Sequence, residues 1–425
     1  MTGSATPALS PNDAVVVATA RSPIGRARKG ALRDMRPDDL TATIVRAVLD
    51  KVPQLDPRDI DDLLVGCGLP GGEQGFNLAR VVAILLGYDH LPGATITRYC
   101  SSSLQTTRMA FHAIKAGEGD VFVSAGVEMV SRYARGNSDA LPADAQELVG
   151  GSWENPYFAP ARERSARRSS GGADRWHDPR EDGNAPDIYL AMGQTAENLA
   201  QVKGITREMQ DEFGVRSQNL AEKALANGFW EREISPVTTP DGTVVGKDDG
   251  PRPGVTIEGV RALDPVFRPD GTVTAGNCCP LNDGAAAVVV MSAAIAGKLG
   301  VTPLARILST GVSALSPEIM GLGPVEASRQ ALARAGLAIG DMDLVEINEA
   351  FAAQVIPSYQ ELGIDLDRLN VNGGSIAVGH PFGMTGARIT TTLINGLQFH
   401  DKQFGLETMC VGGGQGMAMV LERLS

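Results

Sequence analysis

Four short segments of the chain carry side chains suited to nucleophilic and proton-transfer chemistry. The first is Ala94-Thr-Ile-Thr-Arg-Tyr-Cys100-Ser-Ser-Ser-Leu-Gln-Thr. An apolar strand ending near Thr97, then a helix with Leu104, Phe111 and Ile114 on one face, puts Cys100 at a strand-to-helix turn. Unpaired N–H groups and the positive end of a helix dipole favour a thiolate there, which predicts a thiol pKa below the usual value of about 8.5. The second segment is Val371-Asn-Gly-Gly-Ser-Ile-Ala-Val-Gly-His380-Pro-Phe-Gly-Met-Thr-Gly-Ala-Arg388. Pro381 suits the first position of a helix, and the glycines leave the imidazole open to a ligand, where it can carry protons near neutral pH. Taken singly, each has a plainer reading, as an inert buried thiol or a structural histidine.

The third segment, Asp343-Leu-Val-Glu-Ile-Asn348-Glu349-Ala-Phe351, ends an apolar run in a polar pair, where open α/β sheets place ligand groups. Asn348 offers an amide donor, and Glu349 orients neighbours or carries a salt bridge; a helix cap is the alternative. The fourth, Leu406-Glu-Thr-Met-Cys410-Val-Gly412-Gly-Gly-Gln-Gly416, brings a second thiol to a glycine run. Glycines let backbone N–H groups approach a substrate closely, as an oxyanion hole requires. A dinucleotide loop is excluded because Met417-Ala-Met-Val-Leu-Glu reads as a strand rather than a helix. Nucleophile, imidazole, amide donor, second thiol and glycine loop together make a set for acyl transfer through a carbanion.

The elements that must position these groups alternate along the chain, which predicts an α/β fold. Strand-like runs cover Ala14–Thr19, Asp62–Gly66, Asp120–Ala125, Ala285–Met291, Asp343–Ile347 and Leu406–Cys410. Amphipathic helical runs cover Pro37–Asp50, Ser101–Ala116, Pro324–Ala335 and Gly386–Gly396. The helix, loop and strand of Leu40 to Val65 return in Val325 to Glu346, and the Cys100/Arg108 spacing returns in His380/Arg388. Both repeats share an offset near 280, so two similar halves are expected. From Tyr133 to about Pro269 the texture changes, and the Arg/Ser/Gly-rich stretch from Ala161 reads as a polar, mobile insertion. It is either a solvated loop or a lid whose arginines meet a phosphorylated ligand.

With 425 residues, 43% of them hydrophobic and 21% charged, the chain has the composition of a soluble protein large enough for two or three domains. A net charge of -12 argues against nucleic acid as partner. No apolar run is long enough for a transmembrane helix, and Met1 to Asn12 lacks the features of a secretory signal. The five cysteines form neither a disulfide framework nor a zinc pattern, so a reducing cytoplasm is expected.

These segments resemble the motifs of the thiolases. Cys100-Ser-Ser-Ser-Leu-Gln is similar to the family's nucleophile motif, Asn348-Glu-Ala-Phe and Gly379-His-Pro to two further motifs, and Cys410-Val-Gly to a fourth, all in family order. Supporting matches run from about residue 12 to the C-terminus, including Met192-Gly193 and Thr274-Ala-Gly-Asn. The resemblance implies the thiolase fold: an α/β, five-layered αβαβα arrangement of two similar halves with an inserted loop domain. Its implied division is an N-terminal half at 12–132 completed by about 271–301, an insertion at 133–270 and a C-terminal half at 302–425. It implies cleavage of 3-ketoacyl-CoA by CoA, or the reverse Claisen condensation, through an acyl group on Cys100. His380 would activate Cys100, Cys410 would exchange the α-proton, and Asn348 would hold a water that stabilises the enolate with His380. The N–H groups of Cys100 and Gly412 would form the oxyanion hole. Met192, Cys279, Ala350, Phe351 and Ser375 would line the acyl-CoA. CoA and acyl-CoA are the implied substrates, with no metal or prosthetic group, in a homodimer or homotetramer that a β-oxidation subunit could accompany.

Several positions depart from the family pattern. Ser103 and Thr106 stand where Gly and Ala are usual, crowding the turn after the nucleophile. Ala191 replaces a common His, Cys278-Cys279-Pro280 replaces a small Ser/Gly segment, and the insertion is longer. These changes leave the acyl chain open. A decarboxylating ketoacyl synthase on the same fold is disfavoured, because it would carry His at Asn348 and lack Cys410. A thiolase-like acyl-CoA binder that has lost activity is the reading from another class.

Overall fold

The computed structural model describes residues 8–135, 154–171 and 175–425. Its first part runs β1 (Ala14–Arg21), the short β2 (Gly25–Arg26), α1 (Pro37–Leu49), β3 (Asp62–Cys67), α2 (Leu78–Leu85), β4 (Gly93–Ile96), α3 (Ser102–Ala116) and β5 (Val121–Met129). An insertion follows, with α4 (Ala159–Ser169), α5 (Met192–Lys203), α6 (Arg207–Ala226), a hairpin of β6 (Val237–Thr238) and β7 (Val244–Val245), and α7 (Ile257–Arg261). The last part comprises β8 (Asn282–Ser292), α8 (Ala293–Leu299), β9 (Ala305–Ala314), α9 (Gly323–Ala335), β10 (Leu344–Ile347), α10 (Ala352–Leu362), α11 (Ser375–Val378), α12 (Thr385–Phe399), β11 (Phe404–Val411) and β12 (Gln415–Arg423).

The strands order as β10-β11-β12-β9-β1-β8-β5-β3-β4, with β2 beside β8. From the centre outwards the two sides match: β1, β8, β5, β3 on one, β9, β12, β11, β10 on the other. On each side the first two junctions are antiparallel and the third is parallel. A short antiparallel contact, Val15 with Arg306 and Val16 with Ala305, joins them.

Side-chain alternation along the strands then sets the layers. In β8, Ala285, Ala287, Val289 and Met291 face a core shared with Ile44 and Val48 of α1, whereas Ala286, Val288 and Val290 face α3 and α12. In β12, Met417, Met419 and Leu421 face those same two helices, while Ala418 and Val420 pack with Val325 and Ala331 of α9. Helices, sheet, paired central helices, sheet and helices make the five αβαβα layers that the thiolase resemblance implies. A strand buried on both faces needs no polar alternation, which is why β8 reads as one continuous apolar run.

The central helices α3 and α12 touch because residue 386 has no side chain: a Cβ there would stand 2.1 Å from the backbone nitrogen of Leu104. The Ser103 hydroxyl accepts the Ala387 N–H at 2.8 Å, and Thr106 bonds Ser124 at 2.7 Å, so both larger side chains find partners.

The insertion differs from the irregular stretch expected. The arginine-rich run from Ala159 to Ser169 is helical, with Ala161 and Ser165 on its buried side. Arg164 bonds the Ala185 carbonyl, Arg162 pairs with Glu154, and Arg168 stands 3.7 Å from Glu318, so these three are engaged by protein groups rather than held out for a phosphate. Buried Glu318 also accepts from the Trp176 indole at 2.6 Å and the Asp187 N–H at 2.8 Å, anchoring the insertion. Residues 136–153 and 172–174 of the expected insertion lie outside the described residues.

Candidate active site

Cys100 lies in the tight turn Tyr99–Ser101 that leads into α3. Tyr99 takes a left-handed backbone, φ 44°, which turns the chain sharply between β4 and the helix. Ser102 locks the turn, accepting the Arg98 N–H at 2.9 Å and donating to the Tyr99 carbonyl at 2.6 Å. The thiol is buried, and burial pushes its pKa up to about 12; the Gly412 N–H on the sulfur opposes this, while the Glu128 charge adds to it. The expected depression by the helix N-terminus is therefore corrected. Loss of hydration outweighs the backbone N–H groups of Cys100 and Gly412 on the sulfur, and the thiol rests protonated.

His380 comes from the other half, at the matching place before α12. It is buried, with its backbone N–H bonded to Asn282 Oδ1 at 2.9 Å. Its Nδ1 lies 2.6 Å from Thr385 Oγ1, whose own proton goes to the Pro381 carbonyl at 2.7 Å. Thr385 can thus only accept from the ring, which puts the imidazole proton on Nδ1 and leaves Nε2 as the free base. Burial, and after it the Arg388 charge, lowers the His380 pKa to about 3, so the ring is neutral at pH 7. Contrary to the reading of Pro381 as first helical residue, a single tight turn, Phe382–Met384, intervenes before α12 begins at Thr385.

Asn348 follows β10, and its Nδ2 stands 3.3 Å from His380 Nε2. Glu349 points the other way and accepts from Ser217 at 2.6 Å, Asn370 at 2.8 Å and the Ile376 N–H at 3.1 Å. That holds the loop before His380 against β10 and the insertion. Cys410, at the end of β11, is fully buried, which raises its pKa well above the ordinary thiol value, and its thiolate would also feel Cys100. Cys279 joins this group: burial raises its thiol well above the ordinary value, and thiolates at Cys278, Cys100 or Cys410 would raise it further.

A cleft of about 300 Å³ opens on Cys100, walled by Leu69, Tyr99, Ile188, Leu190, Met192 and Phe382, with Ala191 and Gly412 also on its surface. A second cleft of about 330 Å³ includes Arg26, Arg252, Thr256, Pro280 and Ile376. The Cys278–Pro280 segment links the two regions, held by the Cys279 N–H on the Ala350 carbonyl at 3.1 Å. Phe351 is buried, pairing with Cys278 and packing edge-on against Phe267. Ser375 lines neither cleft; it is buried behind Asn348.

Models of the family's two domains match this chain, Thiolase, N-terminal domain at residues 14–294 and Thiolase, C-terminal domain at residues 301–423. The chain belongs to the thiolase family. A protein named 3-ketoacyl-CoA thiolase from Bacillus subtilis (strain 168) is 41% identical over 423 residues, covering 96% of this chain and 99% of the relative. One of the same name from Marinobacter nauticus is 41% identical and covers 98% of this chain and 100% of the relative. Among solved structures, the Bacillus anthracis acetyl-CoA acetyltransferase superposes with a TM-score of 0.83 at 36% identity, covering 97% of this chain and 99% of that one. The dimeric peroxisomal thiolase of Saccharomyces cerevisiae superposes with a TM-score of 0.84 at 33% identity, covering 97% and 98%.

As a thiolase, the chain is an acyltransferase of the class that cleaves 3-ketoacyl-CoA with CoA or runs the reverse Claisen condensation. Sequence reading gave no role in the site to Thr385, Asn282, Arg388 or Glu128, although Asn282 and Glu128 lie in supporting matches to the family, Asn282-Asp-Gly-Ala and Gly126-Val-Glu. Glu128 is buried and accepts from the Gly68 and Gly383 N–H groups at 2.7 and 2.9 Å, tying β3 to the loop after His380. Its sequence signal is an acidic residue inside the apolar run of β5, within the supporting match Gly126-Val-Glu.

Proposed function

We propose that Cys100 carries the acyl group in thiolytic cleavage of a 3-ketoacyl-CoA and in the reverse condensation. The observation that carries this reading is the Cys100 sulfur held under the Gly412 N–H, with the neutral His380 contributed by the other half. In cleavage, His380 Nε2 takes the Cys100 proton as Sγ bonds the 3-keto carbon, whose oxyanion is met by the N–H groups of Cys100 and Gly412. The C2–C3 pair then passes to C2. The resulting enolate oxygen is held by His380 and by a water on Asn348, and the Cys410 thiol protonates C2 to release acetyl-CoA. CoA displaces Cys100 from the acyl-enzyme; its thiol proton restores Cys410, and His380 returns its proton to the departing Cys100 sulfur.

The apolar cleft at Cys100 supports an acyl group longer than acetyl, with the smaller Ala191 adding room. Arg26 and Arg252 in the second cleft suit CoA phosphates, and Met192, Cys279, Ala350 and Phe351 suit the arm between. The chain divides, in this reading, into halves at 12–132 with 271–301 and at 302–425, around an insertion at 133–270. Five unpaired cysteines fit a cytoplasmic setting. The open edge of β4 suits a homodimer.

The test mixes purified protein and CoA with acetoacetyl-CoA, and separately with a long-chain 3-ketoacyl-CoA, following release of acetyl-CoA. Turnover of the longer substrate, abolished by Cys100→Ala, is expected. CoA binding without cleavage of either substrate and without acyl trapping on Cys100 would overturn the reading.

A further inference from the structure

The amide of Asn348 can face His380 with its nitrogen or its oxygen, and only the first gives a donor where an enolate would form. Its orientation is settled by a buried chain of hydrogen bonds. The Arg388 guanidinium, which can only donate, gives Nη2–H to Ser375 Oγ at 2.6 Å. The Ser375 hydroxyl, already accepting there, donates to Asn348 Oδ1 at 2.6 Å. Oδ1 is thereby fixed as the acceptor, and Nδ2 is turned to the imidazole. All four side chains are buried, Arg388 and His380 being 1% exposed and Ser375 fully covered.

Burying an arginine is unfavourable unless its charge and donors are answered. Among the described residues, Nε and Nη1 of Arg388 have no hydrogen-bond partner, and Nη2 directs its bond to Ser375. Glu346, Glu233 and Glu349 answer the charge from a distance. Bonds in series polarise one another in a low-dielectric interior, so a cation at one end of the chain makes the Asn348 N–H a stronger donor at the other.

We propose that Arg388 and Ser375 are positioning residues that orient and polarise the Asn348 amide for the carbon–carbon step. This rests on the thiolase reading of the site above. It assigns Ser375 to the support of Asn348, not to contact with CoA. Acyl exchange between CoA and Cys100 uses the Cys100 and Gly412 N–H groups and is independent of the relay. Enolate formation depends on it.

The experiment separates those half-reactions in the full-length protein. Acetylation of Cys100 by acetyl-CoA is timed by mass spectrometry, and the carbon–carbon step by exchange of the acetyl-CoA α-hydrogens in D2O and by cleavage of acetoacetyl-CoA. Ser375→Ala should acetylate within about twofold of the parent while exchange and cleavage fall roughly 10–100-fold, less than the roughly 10²–10³-fold of deleting a donor, because the Asn348 amide stays but loses its fixed orientation. In an Asn348→Ala background, Ser375→Ala should slow exchange no further. Equal loss in both half-reactions, no loss in either, or an undiminished effect in the Asn348→Ala background would each overturn the relay. A parent protein that never acetylates Cys100 would instead sink the thiolase reading beneath it.

Discussion

Cys100 and His380 are both neutral in the folded chain, and that has a measurable consequence. With His380 lowered to about 3 and Cys100 raised to about 12, neither changes charge between pH 5 and 9. Acetylation of Cys100 should therefore lack the acid limb near pH 6.5 that an exposed imidazole would give; its loss should begin only as pH falls towards the lowered value. Stability should follow the same group. Unfolded His380 binds a proton below about pH 6.5 while the folded ring does not, so stability is complete above that pH and declines as pH falls towards 3. A half-maximal acetylation rate near pH 6.5, followed by stopped-flow, would contradict this protonation state. Residue type and motif made Cys100 and His380 legible in the sequence. Their protonation was not, because it follows from burial and from partners such as Thr385 and Arg388 that the turn brings round.

At the scale of elements, the site depends on how closely two helices approach. Cys100 precedes α3 and His380 precedes α12, so the separation of these helices sets that of the proposed nucleophile and base. Gly386 is the contact point, and a methyl group there would have to displace the backbone of Leu104. Gly386→Ala is expected to destabilise by about 1–3 kcal/mol through overpacking. Because a shift near 1 Å spoils attack geometry, kcat should also fall roughly 10²-fold. Chemical denaturation and steady-state cleavage test the two parts, and a variant matching the parent in both would show that the helices have slack. The periodic helices were legible as elements, but this contact joins residues far apart in the chain and leaves no local mark. Strand β9 was hidden for a related reason: Ser309 and Ser313 interrupt its apolar run, yet their hydroxyls bond the Ala331 and Gly323 carbonyls at 2.6 and 2.8 Å and are at home inside.

For the molecule as a whole, the offset near 280 between Cys100 and His380 is the repeat made chemical. The turn before α3 carries Cys100 and the turn before α12 carries His380, so in the proposed mechanism one repeated scaffold supplies two different reagents to one site. The symmetry is broken at the sheet's outer edges. Beyond β10, Leu369 bridges to Val345 and covers that side, whereas among the described residues β4 ends the other side with a strand neighbour on one flank only. Beside β4, Phe76 is 95% exposed, and Ile84 and Leu85 of α2 are about half exposed. An open strand edge bordered by large apolar side chains invites pairing with a second copy. In a two-fold dimer such a patch meets itself, so one substitution acts twice. Phe76→Glu would place two like charges in that contact while disturbing little within the subunit, since the side chain touches almost nothing of its own chain. Sedimentation velocity at micromolar concentration should show a dimer for the parent and a monomer for Phe76→Glu, with folding unchanged by circular dichroism. A dimer that survives the substitution would place the interface elsewhere, and a monomeric parent would mean that this edge is left open in solution.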